Sequence, residues 1–152
     1  MIADPVPAQY FEEETAARIA LIADSFERLL RRPLVPHGED MVTALWEAPC
    51  AIVAHGIEAD PVFFFGNRVA LAAFECDAAG FTTMPSRLSA EEMLRDERQS
   101  LLDRVTRDDF INDYGGMRVS ATGRRFRIDD AVVWNLIDAQ GARHGQAATF
   151  TV

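Results

Sequence analysis

The chain contains no lysine, and all fifteen of its basic residues are arginine. That absence removes Schiff-base chemistry, a pyridoxal attachment site and the lysine of a phosphate loop. Cysteine is scarce: Cys50 and Cys76 fall in no CxxC or metal-ligand spacing and lie in apolar surroundings. They fit buried free thiols in a reducing compartment. Long hydrophobic runs are missing. No stretch approaches the roughly 18 residues needed to span a bilayer, and the N-terminus lacks a basic region followed by an apolar run. The expectation is a cytoplasmic protein without a membrane segment. Positive charge is in deficit, with a net charge of -9, and the excess is uneven. Residues 1–112 hold 20 acids against 10 arginines, whereas residues 113–152 hold 4 against 5. A chain without a basic surface does not suit direct nucleic-acid binding. GxSxG, HExxH, GxGxxG and phosphate-loop patterns are all absent, and no Ser, His and Asp grouping emerges, so the expectation is a protein that is not an enzyme.

What is present is enough apolar material for a core: 49% of 152 residues are hydrophobic, which allows one domain plus an appendage. The C-terminal residues 114–152 describe three consecutive antiparallel strands. Met117, Val119 and Ala121 alternate with Arg118, Ser120 and Thr122, the period-two mark of a half-buried strand. Gly123 turns the chain. Phe126, Ile128, Val132, Trp134 and Leu136 then occupy even positions, and Arg125, Arg127, Asp129 and Asn135 odd ones. Asp130 breaks the rule, so either a bulge reorients it or a carboxylate faces the interior. After the turn residues 138–141, Gln146, Ala148 and Phe150 share one face.

Upstream, residues 9–32 are expected to form an amphipathic helix with Phe11, Thr15, Ile19, Ile22, Phe26 and Leu29 along its stripe. Glu12, Glu13 and Glu14 at its start and Arg28, Arg31 and Arg32 at its end suit the helix dipole. The stripe packs either on its own domain or on a second copy. A short helix over 39–46, strands over 50–55 and 62–65, and a helical segment capped by Asn67 follow. Ser89 and Glu92 form a capping box for a helix over 89–107, with Met93, Leu94, Leu101, Leu102 and Val105 on its buried side. His55, Glu58 and Asp60 are near enough to ligate a metal, or they belong to a solvated turn.

The order of elements is that of a PAS domain, and several motifs narrow it. Met-Pro-Ser-Arg-Leu-Ser-Ala at 84–90, Asp-Tyr-Gly-Gly-Met-Arg-Val-Ser at 113–120, Gly-Arg-Arg-Phe at 123–126, Ala-Val-Val-Trp-Asn-Leu at 131–136 and Gly-Gln-Ala-Ala-Thr-Phe at 145–150 resemble the MEKHLA domain. That family is PAS-related and occurs as small stand-alone bacterial proteins and at the C-terminus of plant homeodomain-leucine zipper transcription factors. The resemblance covers residues 40–152 and implies an α+β fold, a five-stranded antiparallel sheet covered on one face by helices, behind an N-terminal helical extension over residues 1–38. It implies a sensory or regulatory domain, with no catalytic residues. A covalent flavin adduct is disfavoured because residues 82–87 lack cysteine, and haem because residues 89–112 lack histidine; His55 and His144 are expected at solvent-facing strand ends.

Two functional expectations follow. One is a domain that holds a small, mostly apolar ligand, with Gln146, Trp134, Phe126, Phe150, Asn67 and Phe64 as pocket candidates and Arg118, Arg125 and Arg127 pointing outward. The other is an interaction protein whose aromatics fill the interior. In both, the N-terminal helix is expected to support a homodimer.

Overall fold

The computed structural model describes residues 5–36, 40–89 and 95–151. A 3-10 turn, Ala8–Phe11, precedes helix α1, Glu13–Leu30, and α2, Met41–Glu47. Strands β1, Ala51–His55, and β2, Phe63–Gly66, lead to the short helices α3, Arg68–Phe74, and α4, Ala78–Phe81. A second 3-10 turn, Ser86–Ser89, and helix α5, Arg95–Asp108, come before strands β3, Phe110–Val119, β4, Arg125–Ile137, and β5, Arg143–Thr151. The five strands form one antiparallel sheet in the order β2-β1-β5-β4-β3.

Both faces of the sheet are covered. Helices α3, α4 and α5 lie over the inner face. On the opposite face α1 runs along β4, with Ile19, Ile22 and Phe26 buried beneath it. Trp134 is fully buried there, its Nε1 donating to the Ile22 carbonyl at 3.1 Å and its ring 4.9 Å from that of Phe26. Ser25 Oγ accepts from the Ile137 amide at 2.8 Å and donates to the Ile137 carbonyl at 3.1 Å, fastening α1 to the end of β4. Tyr10, in the 3-10 turn, is buried and bonded to both backbone groups of Gly66. Burial first, against the opposing Gly66 bond, pushes its phenol up to about 12.

Of the two choices for the stripe, its inner residues pack on the chain's own sheet. Phe11 is the exception, 51% exposed, because Glu12 is extended and breaks the helix between the turn and α1.

Of the two alternatives for Asp130, the bulge is the one present. Asp130 adopts φ 53° and is exposed, and between Asp129 and Val132 strand β4 advances three residues while β5 advances two. An inserted residue exchanges the two faces. Before it, Phe126 and Ile128 point inward. Beyond it, Ala131, Val133 and Asn135 point inward, and Val132, Trp134 and Leu136 turn to α1. The expectation that all five even positions share one face is therefore corrected, as is the outward placement of Asn135, which is 2% exposed.

Strand β3 also departs from expectation. Gly116 and Arg118 stand opposite Ile128 and Phe126, so Arg118 and Ser120 are buried while Met117 and Val119 are half-buried. Glu92 of the expected capping box, Met93 and Leu94 lie outside the described residues, while Ser89 ends the second 3-10 turn with its hydroxyl donating to the Ser86 carbonyl; of the rest of that stripe, Leu101 and Val105 are buried and Leu102 is half-buried.

Candidate functional site

The inner face of the sheet carries alanines where bulky side chains would close it. Ala131 and Ala148 stand beneath α5 and α3, leaving a cavity of about 50 Å³. Its wall includes Gln146, Phe150, Phe74, Leu101, Tyr114 and Arg118. Aromatic rings fill the neighbouring interior: Phe63 stacks on Phe81 at 4.3 Å, and Phe74 meets Phe126 edge-on at 5.1 Å. The aromatics thus pack one part of the interior and leave another open.

Of the six pocket candidates, Gln146 and Phe150 line the cavity, and Phe126 buttresses it through Phe74. Trp134 is corrected to the opposite face, against α1. Phe64 lies on that side too, with the Arg18 guanidinium 4.0 Å above its ring. Asn67 is buried in the backbone scaffold: its Oδ1 caps α3 at Ala70 and accepts from the Ile52 amide, and its Nδ2 donates to Leu45 and Cys50 carbonyls. No polar atom of it is directed at the cavity.

Gln146 does more than line a wall. Its two Nε2 hydrogens are shared among the Leu102 carbonyl at 3.2 Å, Thr106 Oγ1 at 3.1 Å and Asn135 Oδ1 at 3.1 Å. Asn135 Nδ2 donates to the Val105 carbonyl at 3.0 Å and to Asp109 Oδ1 at 3.1 Å. Two side-chain amides of the sheet therefore fasten β5 and β4 to carbonyls in the last turns of α5, which also accept from the Thr106 hydroxyl (Leu102) and the Asp109 amide (Val105). Gln146 Oε1 is buried and accepts no hydrogen bond among the described residues.

Two cavity residues were expected to face solvent. Arg118 is only 9% exposed: its Nη2 donates to the Tyr114 hydroxyl at 2.9 Å and its Nη1 to the Met117 carbonyl at 2.8 Å. Gly116 makes this possible, since an added Cβ would stand 2.8 Å from the Tyr114 hydroxyl. His55 is 6% exposed, with Nδ1 2.9 Å from the Gly56 carbonyl oxygen. The signal for both is their register: His55 opposes Gln146, and Arg118 opposes Phe126.

The other chemistry disperses. Glu58 accepts from the Val62 amide and Asp60 pairs with Arg87 at 3.1 Å, and no metal-holding group of three exists among the described residues. His144 is half-buried and 2.7 Å from Asp138. Cys50 and Cys76 are half-buried at surface grooves away from the cavity, and burial first, then Asp77, pushes the Cys76 thiol up. No described helix is long and apolar enough to cross a membrane.

A five-stranded antiparallel sheet with helices over its inner face and a cavity between them defines a PAS-type fold. The PAS domain of a protein from Colwellia psychrerythraea superposes with a TM-score of 0.62 at 10% identity, over 71% of this chain and 89% of that one. A PAS domain of a LuxR-family transcriptional regulator from Burkholderia thailandensis, solved in complex with ethanol, gives 0.55 at 18% identity, over 70% and 92%. Within that fold, the MEKHLA domain model matches residues 16–152, and the chain belongs to the MEKHLA domain family. Homeobox-leucine zipper protein HOX29 of Oryza sativa subsp. indica is 27% identical over 103 residues, 68% of this chain but 12% of that protein. The match thus spans about an eighth of the plant relative's length.

Proposed function

We propose that this chain is a non-catalytic sensory domain that reports occupancy of its inner cavity by a small molecule. The carrying observation is a largely apolar cavity whose wall joins the buried amide of Gln146 to the last turns of α5. A molecule pressing on Leu101 or Leu102 acts on the helix that Gln146 and Asn135 tie to β5 and β4. The Ser25 and Trp134 bonds then join β4 to α1 on the other face. The ethanol complex of the Burkholderia domain supports a ligand of this scale. A space of about 50 Å³ is far below the roughly 300 Å³ or more of cofactor pockets, so the residues present do not fit a flavin or haem ring system.

The test is a thermal-shift screen of short alcohols, amides and acids against the full chain and Ala148→Leu. Saturable stabilisation of the parent, lost when the extra methyl groups fill the cavity, supports the reading. Equal response of both proteins removes it. Self-association through the N-terminal segment is the second regulatory reading. It would use surface such as the exposed Phe11 ring rather than the buried stripe, and light scattering of Phe11→Ser against the parent tests it.

A further inference from the structure

We infer that the cavity takes a small carboxylate, anchored at its β3 end by the Arg118 guanidinium and the Tyr114 hydroxyl. This rests on the reading of the cavity as a ligand site and assigns the ligand's chemical class.

A guanidinium has five N–H groups, and two of those on Arg118 are engaged, one by Met117 and one by Tyr114. Among the described residues no carboxylate pairs with it, although it is only 9% exposed and lies in the cavity wall. A positive charge withdrawn from water needs a compensating anion or acceptor. Tyr114 reinforces the demand. Its oxygen accepts from Arg118, which leaves its own O–H to donate, and its ring lies under the guanidinium with 5.2 Å from the Arg118 carbon to the centroid. Arg118 and Tyr114 thus bring N–H and O–H donors to this end of the cavity, and a guanidinium with free N–H groups suits a planar carboxylate.

Apart from Ser89, whose hydroxyl donates to the Ser86 carbonyl, the remainder of the wall there is apolar. Ile128 and Ala131 stand opposite Gly116 and Tyr114, and Phe74 lies beside Phe126. A space of about 50 Å³ holds roughly three to five water-sized volumes, which suits an acid of short alkyl chain. General attraction of anions is not the cause, because the chain carries a net charge of -9. Selection has to come from the buried site itself.

The experiment titrates sodium propionate and butyrate into the full chain, with propionamide, propanol and sodium chloride at matched ionic strength as controls. Calorimetry and thermal shift are the readouts. The acids should bind saturably and at least tenfold more tightly than the amide or alcohol. Arg118→Met should weaken the acids at least tenfold while leaving weak alcohol binding, and Tyr114→Phe should weaken them a few-fold. Should Arg118→Met fail to fold, ¹⁵N resonances of the parent's arginine side chains decide, since propionate should shift Arg118 Nε selectively. Amide or alcohol binding equal to acid binding, or an Arg118 resonance unmoved by propionate, overturns the carboxylate assignment while the sensory reading survives. Binding of none of these probes overturns both.

Discussion

At Gly145 the backbone holds φ at 146°, and an added Cβ would overlap the His55 carbonyl oxygen and press on Gly56 Cα at 3.2 Å. Backbone atoms cannot swing aside as a side-chain tip can. Gly145→Ala should therefore cost at least about 2 kcal/mol, combining left-handed strain with a forced separation of β5 from β1. A urea midpoint within error of the parent would show that the two strands are not held so closely. The neighbouring residue Gln146 is tied to three acceptors, so Gln146→Leu should cost about 1–3 kcal/mol and loosen the end of α5 whether or not a ligand is present. Loss of a ligand in that variant alone would not identify the pocket, which is why Ala148→Leu is the better probe. Alternation along β5 places Gln146 and Phe150 correctly because β5 runs in unbroken register with β1. The same rule carried past Asp130 puts Trp134 on the wrong face, because one inserted residue reverses everything after it. Arg118 escaped for another reason: Met117 and Val119 are the more apolar set, and only pairing with Phe126 and Ile128 reveals which side is interior.

Helices and strands were more legible than their faces, because capping and turn chemistry are local whereas sheet register is not. Asn67 caps α3 as its position suggests, and Gly123 and Gly141 adopt positive φ in the two turns of the C-terminal meander. The tie between α3 and the β3–β4 turn could not be seen from sequence, since Glu75 and Ser120 are 45 residues apart. Glu75 accepts from Ser120 Oγ and Thr122 Oγ1, both at 2.7 Å, and from Arg124 Nε at 3.1 Å. These bonds, Ser120's foremost, lower its carboxyl from 4.5 to about 2. With the folded value depressed, the latch contributes fully above about pH 4.5 and is lost as pH falls towards 2. Urea midpoints of the parent and Glu75→Gln should differ at pH 6 and converge by about pH 2; a gap independent of pH would refute the latch. On the other side of the sheet, Ser25→Ala removes both Ser25 bonds to Ile137 and leaves Arg28 as the α1 residue still donating to its carbonyl. It leaves a strand-end amide without its acceptor, at an expected cost of about 1–3 kcal/mol by chemical denaturation.

For the molecule as a whole, the decisive question is whether the N-terminal segment is an appendage or a wall. A helix with an apolar stripe ahead of a sheet domain suggests a pairing element, and its removal should then leave a folded monomer. The structure gives the opposite expectation. Ile19, Ile22, Phe26 and Tyr10 are buried against the sheet and α2, where Trp134, Phe65, Ile52 and Trp46 are also buried. Each large side chain returned to water forfeits about 1.5–3 kcal/mol, and several together rival the roughly 5–15 kcal/mol that holds a domain folded. The uncovered face would also form a contiguous apolar patch of the kind that drives association. Deleting residues 1–36 should therefore yield a chain that aggregates, or one that binds a hydrophobic dye and has lost the near-ultraviolet circular dichroism of its buried Trp134. Phe11→Ser, which alters an exposed ring ahead of the same helix, should stay within about 0.5 kcal/mol of the parent. A truncated chain that remains monomeric with a native near-ultraviolet spectrum would mean that the sheet supports itself without α1, and the route proposed from the cavity through β4 to that helix would lose its last step.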